Sequence, residues 1–190
     1  MSIDARLAPF YFLRHGKTLA NQQGLMCGGN WDIGLCEEGV MQVKQLAGRI
    51  SGHKWELPSI IYSSPLLRAR ETAQIIAAYL NLPVHEVEGL REWDLGEWDK
   101  RPFEQVRDRF LGTADPKGGE TRRRFRARVE AALAHCAAAG KGTVLIVGHG
   151  AFGLLVQQLL GIAPCRMENA TAYHFKRDAK ANWLMGSLFD

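Results

Sequence analysis

The amino-acid sequence predicts an α/β fold, with a mostly parallel central sheet flanked by helices on both faces. Three observations carry that expectation. Three short apolar runs, at residues 10–13, 59–62 and 143–147, each read as a buried strand. Each stops at a turn rich in Gly, Ser or Pro. A polar or helix-period stretch then follows, and strands alternating with helices require crossover connections, hence parallel neighbours covered on both faces.

The elements follow in chain order. Phe10-Tyr11-Phe12-Leu13 stops at Arg14-His15-Gly16, and a helix is expected at 37–50. The second run stops at Ser63-Ser64-Pro65, where Ser64 suits a helix cap and Pro65 the first helical position. Leu66, Ala69, Ala73, Ile76 and Leu80 then recur at three-four spacing and form the core face of that helix. Residues 90–117 read as irregular chain with one short helix at 104–111, and the segment at about 90–120 is expected to be an insertion that forms a lid or wall. A longer helix is expected at 121–139. The third run stops at Gly148-His149-Gly150 and enters an apolar helix at 152–160. Residues 172–176 and 183–189 read as an edge hairpin.

A chain of 190 residues suits a single domain, 1–190, with a substantial core. Hydrophobic residues at 46% and charged residues at 23% exclude the disordered and fibrous classes. A net charge of +4 is mild, and the one basic cluster, Arg122, Arg123, Arg124, Arg126 and Arg128, reads as the solvated face of a helix. A nucleic-acid partner is therefore not expected. Cys27, Cys36, Cys136 and Cys165 form no C-x-x-C pair and no zinc-like spacing with histidine, so reduced thiols in the cytoplasm are expected. No stretch is long and apolar enough for a signal segment or a membrane span.

The six histidines are not equivalent. His53, His85, His135 and His174 fall at a helix end, in a strand after proline, on a helix face and in a strand, where packing or solvation accounts for them. His15 and His149 instead sit beside glycine directly after apolar strands, where parallel sheets bind their ligands. Arg14 adjoins the first. Arg68 falls in the first turn of its helix, where the macrodipole disfavours a cation, so it calls for a compensating anion. A phosphate there would satisfy both the guanidinium and free backbone N–H groups, whereas Arg70 reads as solvated. Two arginines and two histidines thus point to an anion site.

Leu13-Arg14-His15-Gly16-Lys17-Thr18-Leu19-Ala20-Asn21 resembles the signature of the histidine phosphatase (phosphoglycerate mutase-like) superfamily. Tyr62-Ser63-Ser64-Pro65-Leu66-Leu67-Arg68-Ala69-Arg70-Glu71-Thr72-Ala73 resembles its second block. Leu90-Arg91-Glu92-Trp93-Asp94-Leu95-Gly96-Glu97-Trp98 resembles the acid-bearing segment, and Pro116-Lys117-Gly118-Gly119-Glu120-Thr121 the turn before the penultimate large helix. Val147-Gly148-His149-Gly150 resembles the second histidine block, and Glu168-Asn169-Ala170-Thr171 a weaker motif near the end. The blocks keep family order from about residue 10 to 171.

The resemblance implies a role for each matching residue. His15 is the implied nucleophile, attacking as a neutral imidazole whose pKa Arg14 and Arg68 lower. Arg14, Arg68 and His149 are the implied ligands of the phosphoryl oxygens, with Asn21 a further phosphate contact. Glu92 is the implied general acid, with Asp94, Glu97 and Asp99 as rivals by proximity. Trp93 and Trp98 read as packing, and the insertion lies over the catalytic end. No metal and no cofactor is implied, because fixed positive donors stabilise the transferring group.

The activity implied is a histidine acid phosphatase-type phosphomonoesterase acting on a small phosphorylated metabolite. Alternatives are a phosphoglycerate mutase-type phosphotransferase, a dephosphorylase of protein phosphohistidine and a non-catalytic phospho-ligand binding module. Little chain follows the last expected strand, so an open site that admits water, and hence hydrolysis, is expected. Lys17 stands where relatives usually carry Glu, Gly34 and Cys36 where they carry Pro and Thr, and Lys100 in place of a frequent Gly. These departures point to an altered substrate preference.

Overall fold

In the computed structural model, which describes residues 7–52, 56–138 and 142–189, six strands form one sheet. They are β1 (Phe10–Arg14), β2 (Ile60–Ser63), β3 (Val84–Glu86), β4 (Val144–Gly148), β5 (Ala172–Arg177) and β6 (Trp183–Ser187), in the order β3-β2-β4-β1-β5-β6. The pairs β1–β4, β4–β2 and β2–β3 are parallel. The β5–β6 hairpin adds antiparallel strands at the β1 edge. Its turn is closed by Asp178, whose carboxylate accepts from the N–H groups of Lys180 and Asn182.

The central strands are apolar throughout because both faces are covered. Alternation along β1 sends Phe10 and Phe12 to one core and Tyr11 and Leu13 to the other. On one face α2 (Glu37–Ser51) contributes Val43, Leu46, Ala47 and Ile50, and α3 (Leu67–Leu80) contributes Ala69, Ala73 and Ile76. On the other, α5 (Arg122–Cys136) and α6 (Gly150–Leu159) pack with Trp93, Trp98 and Val106 of the insertion. The insertion holds two 3-10 turns, Glu88–Leu90 and Gly96–Trp98, and α4 (Phe103–Leu111).

Several local expectations are corrected. A four-residue helix, α1 (Leu19–Gln22), follows the first strand and was not foreseen; a capping box between Thr18 and Asn21 starts it. Helix α3 begins at Leu67, beyond Pro65, and Ser64 is not its cap. The Leu67 N–H donates instead to the Asp32 carboxylate at 2.7 Å, a partner distant in sequence. Helix α6 begins at Gly150, directly after His149 at its N-cap position. The last strand stops at Ser187. Helix α5 ends at Cys136; Ala139 of the expected helix, like His53, lies outside the described residues.

The arginine cluster is only partly solvated. Arg123, Arg124 and Arg126 are exposed. The Arg122 guanidinium lies 4.7 Å over the Trp93 ring and donates to the carbonyls of Arg109, Phe110 and Ala114. Arg128 also folds inward. Charge alone hides this, because backbone carbonyls are partners that no residue type announces.

Candidate active site

The parallel pairing of β1 with β4 sets Arg14 beside Gly148, so the residues that follow, His15 and His149, leave adjacent strands at the same end of the sheet. The His15 N–H donates to the Gly148 carbonyl at 3.0 Å, and the two imidazole centroids are 5.2 Å apart. Both rings are buried. His15 Nδ1 is 2.7 Å from the Gly16 carbonyl. A carbonyl only accepts, so Nδ1 carries the proton and Nε2 keeps its lone pair. That tautomer is assigned from the hydrogen bond.

Burial, with Arg68 and Arg14 nearby, holds the His15 imidazole well below its ordinary pKa of 6.5, against the opposing bond to Gly16. Burial also lowers His149, reinforced by Arg68, His15, Arg14 and Arg128. His149 Nε2 meets the Ser64 hydroxyl at 2.8 Å, while its Nδ1 is buried and unpartnered among the described residues. The Ser64 hydroxyl accepts from the Leu66 N–H and donates its own proton to Nε2, so the proton of the neutral ring is assigned to Nδ1, which is left to donate.

Arg14 donates through Nη1 to the Met167 carbonyl at 2.7 Å. Arg68 is fully buried, and the compensation expected for it is partly internal. Its Nη1 donates to the Trp31 carbonyl at 3.1 Å, and Nη2 to those of Cys27 and Gly28 at 3.3 and 3.2 Å. The Nε atoms of both arginines stay buried and unpartnered among the described residues. Unmatched buried donors are costly, and three of the four found here, Arg14 Nε, Arg68 Nε and His149 Nδ1, belong to this one cluster. The cluster is shaped for a multivalent acceptor.

Glu92 is buried at the N-terminus of α6. Its Oε1 accepts from the N–H groups of Trp93 and Phe152 at 2.9 and 3.1 Å, and Oε2 from Ala151 at 2.9 Å. The N–H groups of Ala151 and Phe152 in the first turn of α6 thus fix the position of the Glu92 carboxyl group. Its rivals have partners of their own. Asp94 accepts from the Gly96 N–H, Glu97 faces Arg109 at 3.6 Å, and Asp99 accepts from the Gly28 N–H at 2.6 Å. Asn21 is also brought to this end of the sheet: its Oδ1 accepts from Thr18 and from Asn169 Nδ2, which turns its own amide nitrogen away from them.

Sequence reading missed four supports. Ser64 was assigned to a helix cap, yet it orients His149. Thr72 Oγ1 accepts from the Gly16 N–H at 3.0 Å and donates to the Arg68 carbonyl at 2.7 Å, tying the two blocks together. Asn169 donates to the His15 carbonyl at 3.0 Å. The carbonyls of residues 27–31 that hold Arg68 are the fourth. Ser64, Thr72 and Asn169 all lie within resembling blocks, a signal that could have singled them out.

The unusual residues have local partners. Lys17 pairs with Glu38. A side chain at Gly34 would meet the Glu71 carboxylate at about 3.0 Å. Lys100 adopts a positive φ of 63° itself, with its ammonium 5.3 Å from the Trp31 ring centre. Beside Glu92 a cleft of about 420 Å³ opens, with Asn30, Asp94, Gly119, Glu120, Arg124 and Arg128 on its walls. Among the described residues no group of three or more His, Cys, Asp or Glu side chains is arranged to hold a metal, and no helix is long and apolar enough to cross a membrane.

Comparison with known proteins finds relatives along most of the chain. The sequence profile of the histidine phosphatase superfamily (branch 1) matches residues 10–183. The chain is 36% identical over 140 residues to "Uncharacterized phosphatase PhoE" of Bacillus subtilis, covering 73% of this chain and 70% of that protein. It is 34% identical over 164 residues to "Probable phosphoglycerate mutase GpmB" of Salmonella choleraesuis, covering 80% and 74%. The crystal structure of TTHB049 from Thermus thermophilus superposes with a TM-score of 0.74 at 28% identity, over 96% of this chain and all of that one.

Proposed function

The chain belongs to the histidine phosphatase superfamily, and from that premise we propose that it hydrolyses a small phosphomonoester through a phosphohistidine at His15, without a metal. The observation that carries this reading is the pairing of a fixed His15 tautomer with three unmatched donors around it. In the first step Nε2 attacks phosphorus, the ester P–O bond breaks, and protonated Glu92 gives its proton to the leaving oxygen. Arg14, Arg68, His149 and the Asn21 amide bind the phosphoryl oxygens and carry the charge that develops on them. In the second step water attacks phosphorus, the N–P bond breaks, and the Glu92 carboxylate takes the water's proton. Inorganic phosphate leaves and the enzyme is restored. The leaving group extends into the cleft beside Glu92, which charged side chains such as Asp94, Arg124 and Arg128 line.

Likeness to a protein described as a phosphoglycerate mutase makes return of the phosphoryl group to a bound intermediate the competing outcome. One experiment addresses both. Enzyme mixed with labelled substrate and quenched in base should carry the label on the His15 peptide, and free phosphate should appear at the rate the substrate is lost. Label on His149, or an active His15→Ala enzyme, would reassign the nucleophile. An isomeric phosphate ester in place of free phosphate would make the enzyme a mutase. Activity should survive EDTA; abolition with rescue by a divalent ion would overturn the metal-free step.

A further inference from the structure

Arg128 and Glu120 lie outside the cluster that meets the phosphoryl group, on the wall of the cleft beside Glu92, and they hold the segment that carries Glu92. Arg128 Nη1 donates to the carbonyls of Gly89 and Arg91 at 3.0 and 2.8 Å, and Nη2 approaches the Glu92 carbonyl at 3.4 Å. Its Nε and Nη2 pair with the two Glu120 carboxylate oxygens at 3.0 and 2.6 Å. The Glu120 backbone closes the other side: its carbonyl accepts from the Trp93 indole at 2.7 Å, and its N–H donates to the Asp94 carbonyl at 3.0 Å. Residues 89–94 are thereby fastened to the start of α5. Gly89 seats the same turn on that helix, since a side chain there would meet Ala132 at about 2.9 Å.

We infer that Arg128, locked by Glu120, is a positioning residue that fixes the Glu92 carboxyl for proton transfer to the leaving group. Residue 92 is pinned twice, its backbone by α5 through Arg128 and its side chain by the N–H groups of α6. Proton transfer needs this precision, because a displacement of about 1 Å can cost roughly a hundredfold in rate. Only a planar guanidinium can bind a carboxylate and several carbonyls at once; an ammonium keeps the charge but cannot span them. Arg128 also adds positive potential at His149. Lysine at 128 separates the two effects, since it preserves charge and removes the fork.

The inference rests on Glu92 being the leaving-group acid, so the test includes Glu92→Gln as its own reference. Single-turnover phosphorylation of the full chain is measured with glycerol phosphate and with p-nitrophenyl phosphate, whose leaving group departs largely unaided. Glu92→Gln should lose about 10²- to 10⁴-fold on the alkyl ester and far less on the aryl ester. Arg128→Lys should lose roughly 10- to 100-fold on the alkyl ester, stay within about threefold on the aryl ester, and add almost nothing in the double variant with Glu92→Gln. Glu120→Gln, which unlocks the fork while keeping Arg128, should likewise lower the rate on the alkyl ester and stay within about threefold on the aryl ester, and it serves if Arg128→Lys does not fold. Equal losses on both esters, wild-type rates, or full additivity with Glu92→Gln would overturn the inference and leave Glu92's role intact. A Glu92→Gln enzyme with no leaving-group dependence would overturn both.

Discussion

His15 and His149 are two buried imidazoles under two guanidiniums, and their protonation is decided by that environment. Burial and the nearby arginines lower both pKa values, so both rings stay neutral where an exposed histidine is half charged. The acid limb of kcat/KM, which reports the free enzyme, should therefore lie well below pH 6.5. An ¹⁵N NMR titration should show His15 neutral, with the proton on Nδ1, from pH 7.5 down past 6; a midpoint at or above 6.5 would contradict the described environment. The sign for stability follows. The unfolded chain binds protons below about pH 6.5 that the folded chain does not, so this stabilisation is full above that pH and falls as the pH drops toward the folded pKa values. The positions of His15, Arg14, Arg68 and His149 were legible because strand ends and a helix first turn mark them in sequence. The partners of Arg68 were not, because they are backbone carbonyls of a loop some forty residues away.

At the scale of elements, the site depends on the close approach of α2 to the turn that bears His15. Gly39, near the start of α2, packs its backbone directly against Lys17, and a Cβ there would collide with the Lys17 carbonyl. From the other side, a side chain on Gly16 would meet the Gly39 carbonyl at about 2.8 Å. Gly39→Ala should therefore displace either the helix or the turn. Overpacking of this kind costs about 1–3 kcal/mol, measurable by urea unfolding. Turnover should fall further than stability accounts for, because the turn carries the nucleophile; unchanged kcat and midpoint would show that the contact is slack. The long helices were legible from their apolar periodicity. The starts of α3 and α6 were not, since α3 is capped by Asp32 and α6 by Glu92, both from distant segments. Helix α1 was not legible because four residues are too few to show a period.

Across the whole molecule, apolar runs alternating with helices made the parallel centre of the sheet legible, and its register explains why two residues 134 positions apart by number, His15 and His149, meet. The hairpin was read correctly as an edge, but nothing in its residues announced that β5 would lie antiparallel against β1. The assembled site couples ligand binding to the stability of the whole chain. Arg14 Nε, Arg68 Nε and His149 Nδ1 are buried donors without partners among the described residues, and these three come from β1, α3 and the start of α6. A tetrahedral oxyanion that satisfies them binds the folded state and has no such site in the unfolded chain. Inorganic phosphate, or vanadate as its analogue, should then raise the melting temperature. At a hundred times its Kd the stabilisation is about 2.7 kcal/mol, which for a domain of this size corresponds to roughly 5–10 °C. Chloride at equal ionic strength controls for general salt effects, and Arg68→Met should abolish the oxyanion-specific part. A melting temperature that responds to phosphate and chloride alike, or a shift that persists in Arg68→Met, would mean that these donors do not form the anion site.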